Sequence, residues 1–173
     1  TFSVSDGGDG SIGTTAFAIT VTPVNDPPVL DNSATMTLTA ISEGDSDPAG
    51  TAVQTIISSA GGDRITDEDN SSVEGIAVTA VDNSSGAWEY STDNGSNWSA
   101  FGTPSESAAR LLRADGSGVT TNLIRFVPTG DFQGTVSGGV TFRAWDQTNE
   151  TGVGNTAGTA VNVATSAAAG TDP

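Results

Sequence analysis

The chain has 173 residues, with 5 Lys plus Arg, 21 Asp plus Glu and neither His nor Cys, giving a formal net charge of −16. Those zeros exclude Ser-His-Asp and Cys-His nucleophile chemistry, ordinary zinc, haem and iron–sulfur sites, and any disulfide. The acidic balance, without a basic stripe, argues against nucleic acid or anionic lipid as a partner, and its oxygen-rich side chains suit a hard cation such as calcium.

Glycine is abundant (22 residues) and aromatics are few (6%), which suits β-strands joined by many turns. Nowhere do 18 apolar residues run together, so no segment reads as a membrane span. The first residues are strand-like rather than a signal peptide, so a signal is expected upstream and the chain reads as a segment of something longer. Residues 2–5 and 15–22 alternate apolar and small polar side chains about the Asp6-Gly7-Gly8-Asp9-Gly10 turn, which predicts a hairpin. Val24-Asn25-Asp26-Pro27-Pro28-Val29 then predicts a stiff, extended linker over 25–30, because consecutive prolines cannot donate to a ladder and restrict the residues before them.

From about residue 31 a second unit begins. Residues 35–39 alternate and predict a strand. Glu43-Gly44-Asp45-Ser46-Asp47-Pro48 is an acidic loop; residues 51–60 are ambiguous in type, the spacing of Val53, Ile56 and Ile57 allowing one short helix. Ile65-Thr66-Asp67-Glu68-Asp69-Asn70 is a second acidic loop, followed by a strand over 76–81. Residues 88–91 and 98–101 flank Asp93-Asn94-Gly95 and predict a hairpin. The run at 108–112 is of uncertain type; 123–127, 140–145 and 160–164 complete the strands. Short strands at this spacing predict an all-β fold, an antiparallel sandwich with long acidic loops. A faint internal repeat relates Thr1-Phe2-Ser3-Val4-Ser5-Asp6-Gly7 to Thr141-Phe142-Arg143-Ala144-Trp145-Asp146-Gln147. Residues 1–24 are therefore expected to be the last hairpin of a preceding module or one half of a split one, with 31–173 as the main module.

Val24-Asn25-Asp26-Pro27-Pro28-Val29-Leu30 resembles the linker of bacterial cadherin-like repeats, and several further stretches resemble a repeat family of giant RTX-type bacterial adhesins. These are residues 60–69, Trp88-Glu89-Tyr90-Ser91-Thr92-Asp93-Asn94-Gly95, Ile124-Arg125-Phe126-Val127-Pro128 and Phe142-Arg143-Ala144-Trp145-Asp146-Gln147. The resemblance implies an Ig/cadherin-like sandwich, a secreted or bacterial cell-surface location and calcium. It also implies a part in cell adhesion and biofilm, with adjacent repeats of the same chain as partners. Most modules of such proteins are calcium-rigidified spacers; some lie at the tip and grip a peptide or glycan of a host or neighbouring cell.

The candidate calcium ligands are Glu43, Asp45, Asp47, Asp67 and Asp69, because D-x-D in an extended loop delivers two carboxylates to one side. Asn25 and Asp26 in the linker are candidates for completing a site between repeats, and Asp146, which opens a loop after a strand, is a further candidate ligand. The competing reading of all these acids is as solvated turn residues. The loop at Asp67 is not an EF-hand, since its sixth and twelfth positions are Ser72 and Val78. Trp88, Tyr90, Asp93, Trp145 and Arg143 are candidates for gripping a ligand, against the alternative that the aromatics are cross-strand packing partners. Arg125 and Arg143, within strands, are expected to pair with an acid of the same module. A pair of carboxylates can hydrolyse a glycoside without His, but 21 acids make some pair unavoidable, so no enzymatic activity is expected.

Overall fold

The computed structural model describes residue 7 and residues 16–69, 72–114, 121–147 and 157–163. The expected strand over 2–5 and all of its turn but Gly7 lie outside the described residues. In chain order the elements are β1 (Val29–Leu30), β2 (Thr51–Ala52), α1 (Val53–Ser58), β3 (Ile65–Thr66), β4 (Gly75–Val81) and β5 (Gly86–Ser91). They continue with β6 (Ser99–Ala100), β7 (Ala109–Arg113), β8 (Leu123–Pro128), β9 (Val140–Trp145) and β10 (Ala160–Val161). Among the described residues the fold is all-β apart from α1, and the ladders are antiparallel. One four-stranded sheet has the order β10-β7-β4-β9 and another β2-β8-β5-β6, while β1 and β3 pair separately.

Residues from both large sheets meet in one buried cluster. Ile76, Val78, Leu112 and Ala144 come from the first sheet, Trp88, Ile124 and Phe126 from the second, and Val53, Ile56 and Ile57 from α1. The i, i+3, i+4 spacing thus makes a helix whose buried stripe is held by that core, not by capping, since Ala52 makes no side-chain cap. Trp88 and Phe126 are directly opposed across β5 and β8, with ring centroids 4.9 Å apart. On the other face of the first sheet Ala77, Ala109, Leu111, Trp145 and Val163 form a second cluster. β4 is therefore covered on both faces, which is why its sequence is a near-continuous apolar run instead of an alternation. Gly75 is required there: a Cβ would lie 2.6 Å from Trp145 Cε3.

Several expectations are corrected. Val29–Leu30, expected as linker, and Ile65–Thr66, expected as acidic loop, pair with each other as β1 and β3. Residues 35–39 form no strand. Their alternation is real, since Met36 and Leu38 pack on the core, but the amides of Thr37 and Thr39 donate to Ser59 Oγ (2.8 Å) and Thr51 Oγ1 (2.9 Å) and not to a ladder. Residues 16–22 belong to no strand among the described residues and leave Phe17, Ile19 and Val21 88%, 89% and 83% exposed. The strand expected over 160–164 stops at Val161, although Val163 is fully buried. The run at 108–112 resolves as β7, and the Asn94-Gly95 turn joins β5 to β6 with both residues at positive φ, 59° and 81°.

The proline-rich segment is fastened to the body at its far end. Pro28 is fully buried, Val29 and Leu30 pair with Thr66 and Ile65, and the Asp31 amide donates to the Arg64 carbonyl at 2.8 Å. Arg64 ties the same strand to the turn after α1: Nη1 reaches Asp31 Oδ2 at 2.6 Å, while Nε and Nη2 donate to the carbonyls of Gly61 and Ala60.

Candidate functional site

Because β1 pairs with β3, the residues just before β1 come to lie beside those just after β3. The Asp26 amide donates to Asp69 Oδ2 at 2.9 Å, and the Asp69 amide donates to Asp67 Oδ1 at 2.8 Å. Asn25 Nδ2 donates to Asp146 Oδ2 at 2.8 Å, which draws in the end of β9. Asp146 is only 3% exposed; it sits between the buried Trp145 and Gln147, whose φ of 64° turns the chain. Gln147 Nε2 donates to the Glu74 carbonyl at 2.7 Å and anchors that turn to the start of β4. Asn25, Asp26, Asp67, Asp69 and Asp146, far apart in sequence, thus converge where the linker meets the body.

Electrostatically this junction is unbalanced. Asp67 Oδ2 is buried and has no hydrogen-bond partner. Burial raises the Asp67 carboxyl above the usual carboxylate range, and the nearby charges of Asp69, Asp146 and Asp26 push the same way. A cleft of about 200 Å³ opens beside it, lined by Asp63, Asp67 and Glu74 around Pro28 and Ile65. Glu74 is likewise raised, by burial first and then by the adjacent Asp63. Asp63 and Glu74 escaped the sequence reading: Glu74 is a lone acid before an apolar strand, and only the fold sets it against Asp63. Among the described residues no group of three or more carboxylates is drawn together closely enough to hold a metal ion. The donor set of carboxylates and a carboxamide is nevertheless the oxygen chemistry that calcium takes, and the orphaned Asp67 oxygen is of the kind that a cation would satisfy.

The other expected ligands lie elsewhere. Glu43, Asp45 and Asp47 form a turn in which the Asp47 amide donates to Asp45 Oδ1 at 3.1 Å. The Asp47 carboxylate is taken by Arg125, whose Nη1 lies 2.7 Å from Oδ1, while Arg125 Nε lies 2.7 Å from Glu89 Oε2. The guanidinium also covers the Trp98 ring at 4.1 Å. Here the cation for an acidic loop is an arginine, as the strand position of Arg125 predicted; Trp98, which carries it, gave no signal of that role. Arg143 Nε pairs with Glu106 Oε2 at 2.9 Å, again within the module.

The aromatic platform is corrected too. Trp88 is 6% and Trp145 0% exposed, so neither presents a ring face for stacking; both are packing residues. Tyr90 leans on Phe101 at 5.0 Å and lies under Arg110 at 5.2 Å. The Asp93 carboxylate is occupied by the hairpin turn, accepting from the Asn97 side chain (2.6 Å), the Asn97 amide (2.9 Å) and Ser91 Oγ (2.7 Å). Those bonds hold its carboxyl below the usual range. Comparison of the chain with protein-family models, curated proteins and solved structures finds no match.

Proposed function

We propose that this chain is a calcium-dependent extracellular module of a large RTX-type bacterial surface adhesin, built as an Ig/cadherin-like β-sandwich and acting as a rigidified repeat in cell adhesion. The observation that carries the reading is the junction: linker residues Asn25 and Asp26 bound against Asp146 and Asp69, beside a buried Asp67 oxygen that no donor satisfies. In this reading Asp67, Asp69, Asp146 and Asp26 hold the ion with the Asn25 carboxamide oxygen, after Asn25 releases its present donation to Asp146. Bound calcium supplies the positive charge that the four carboxylates lack and fixes the linker's direction relative to the body, so that adjacent repeats of the chain project as one stiff rod.

The test is thermal unfolding in EDTA and in about 10 mM calcium, with magnesium as control. A site with a dissociation constant of about 0.1 mM stabilises the fold by RT ln 100, about 2.7 kcal/mol. For a domain of this size that is an upward shift of about 5–10 °C. Equal melting temperatures in the three buffers would remove calcium, and the spacer mechanism with it.

A further inference from the structure

Among the described residues the most exposed large apolar side chains are concentrated in one short stretch. Phe17, Ile19, Val21 and Val24 stand out from residues 16–24, a stretch without a single charge in a chain of net charge −16. Phe17, Ile19 and Val21 are spaced two apart, so in an extended backbone they share one face. Such a face is the signature of a strand that is covered when in place.

The chain itself contains the matching element in place. The stretch that follows Thr141–Gln147 includes Ala160, Val161, Asn162 and Val163; the one that follows Thr1–Gly7 includes Ala18, Ile19, Thr20 and Val21. Ala18 corresponds to Ala160, Ile19 to Val161 and Val21 to Val163. In the module, Ala160 and Val161 form β10, pairing with Arg110 and Ala109 of β7 at the edge of the first sheet. Val163 is buried against Trp145, with Val161 packed beside it. The β7 edge is thereby already taken by the module's own strand, and residues 16–22, with the same apolar spacing, have no place there.

We infer that residues 16–22 are the closing edge strand of a second module of the same build, lying N-terminal in the same polypeptide, where Ile19 and Val21 take the places that Val161 and Val163 take here. The inference rests on the tandem-repeat part of the proposed function but not on calcium. It decides between the two origins of the N-terminal segment, since a strand of a split module would be covered by the body described above. The second unit would end at Thr22, and Pro23–Asp26 would then be the whole of the connection between the two.

Two experiments test it, each run in EDTA and in calcium so that strand assignment and calcium binding can fail separately. First, residues 1–22 are deleted from the full chain, which leaves Asn25 and Asp26 intact. The melting temperature is expected to stay within about 2 °C of the parent, a change of less than about 1 kcal/mol; a larger fall means that the segment packs on this module and overturns the inference. Second, a copy of residues 30–140 is fused directly ahead of Thr1, so that the copy lacks β9 beyond Val140 and all of β10, and residues 1–22 are supplied in their stead. Amide hydrogen exchange across 17–21 is expected to be fast in the parent and to slow by at least about 100-fold in the fused chain. Amides that stay unprotected overturn the inference, as does protection that vanishes on dilution, which would mean pairing between copies of the chain.

Discussion

At Asp67 the fold holds a carboxylate whose buried oxygen meets no donor, with three further acids close enough to resist its ionisation. Such a group destabilises the calcium-free protein and becomes useful when a cation arrives. Asp67→Asn is therefore expected to raise the melting temperature in EDTA and to abolish most of the calcium shift; a variant that melts lower in EDTA yet keeps the shift would contradict this. The pH dependence has a definite sign. Asp67 and Glu74 have folded pKa values above the unfolded ones, so on acidification they take up protons in the fold first, and calcium-free stability rises as pH falls from neutral toward the usual carboxylate range. Below that range the trend reverses. Asp31, Asp82 and Asp93 are lowered in the fold, and the stability they contribute above the unfolded pKa is lost as pH falls through the folded one. Unfolding free energies in EDTA across pH should thus peak on the mildly acid side, and a maximum at neutral pH would contradict the assignment. The D-x-D at Asp67 and the Asn25-Asp26 pair were legible in the sequence as ligand candidates, whereas Glu43, Asp45 and Asp47 carry the same spacing and serve a turn. Spacing reports which carboxylates share a side of a loop, not whether an arginine 78 positions away has claimed one. Removing that arginine distinguishes the partners: Arg125→Ala should cost about 3 kcal/mol, because Glu89 is left half-buried, while Asp47→Ala, at an exposed carboxylate, should cost less than about 1 kcal/mol in denaturant unfolding.

At the scale of elements, β4 shows how one strand organises two clusters. Ile76 and Val78 face the core shared by the large sheets, and Ala77 faces Trp145 on the other side. Gly75 leaves room for that indole, so Gly75→Ala, which forces a Cβ into the ring, is expected to cost about 1–3 kcal/mol in the same measurement. Residues 140–145 and 123–127 were readable as strands, and 53–57 as a helix, because each pattern coincides with the face that the core buries. Residues 35–39 show why the reading fails where it does. Alternation records that Met36 and Leu38 are turned inward, but a ladder requires a neighbouring backbone, and there the amides meet the hydroxyls of Ser59 and Thr51. β1 failed in the opposite direction: a Pro-Pro sequence hides a two-residue strand, since only the residues after the prolines pair.

For the whole molecule, a net charge of −16 with the described acids distributed over several loops means that self-repulsion opposes compaction at neutral pH. Raising sodium chloride toward about 0.5 M screens exposed charges beyond a few ångströms, so it should raise the melting temperature in EDTA and do so less once calcium is present; salt that lowers both alike would sink the charge argument. The buried Pro28 and the short β1–β3 ladder also set how the protein responds to mechanical load. A pull on the chain N-terminal to Asn25 is not delivered to a long strand. Along the chain it meets first the Asn25 and Asp26 contacts, then the two-residue ladder at Ile65–Thr66 and the Arg64–Asp31 bridge. Under tension that short assembly is therefore expected to yield as a mechanical fuse, lengthening the tether before the large sheets give way.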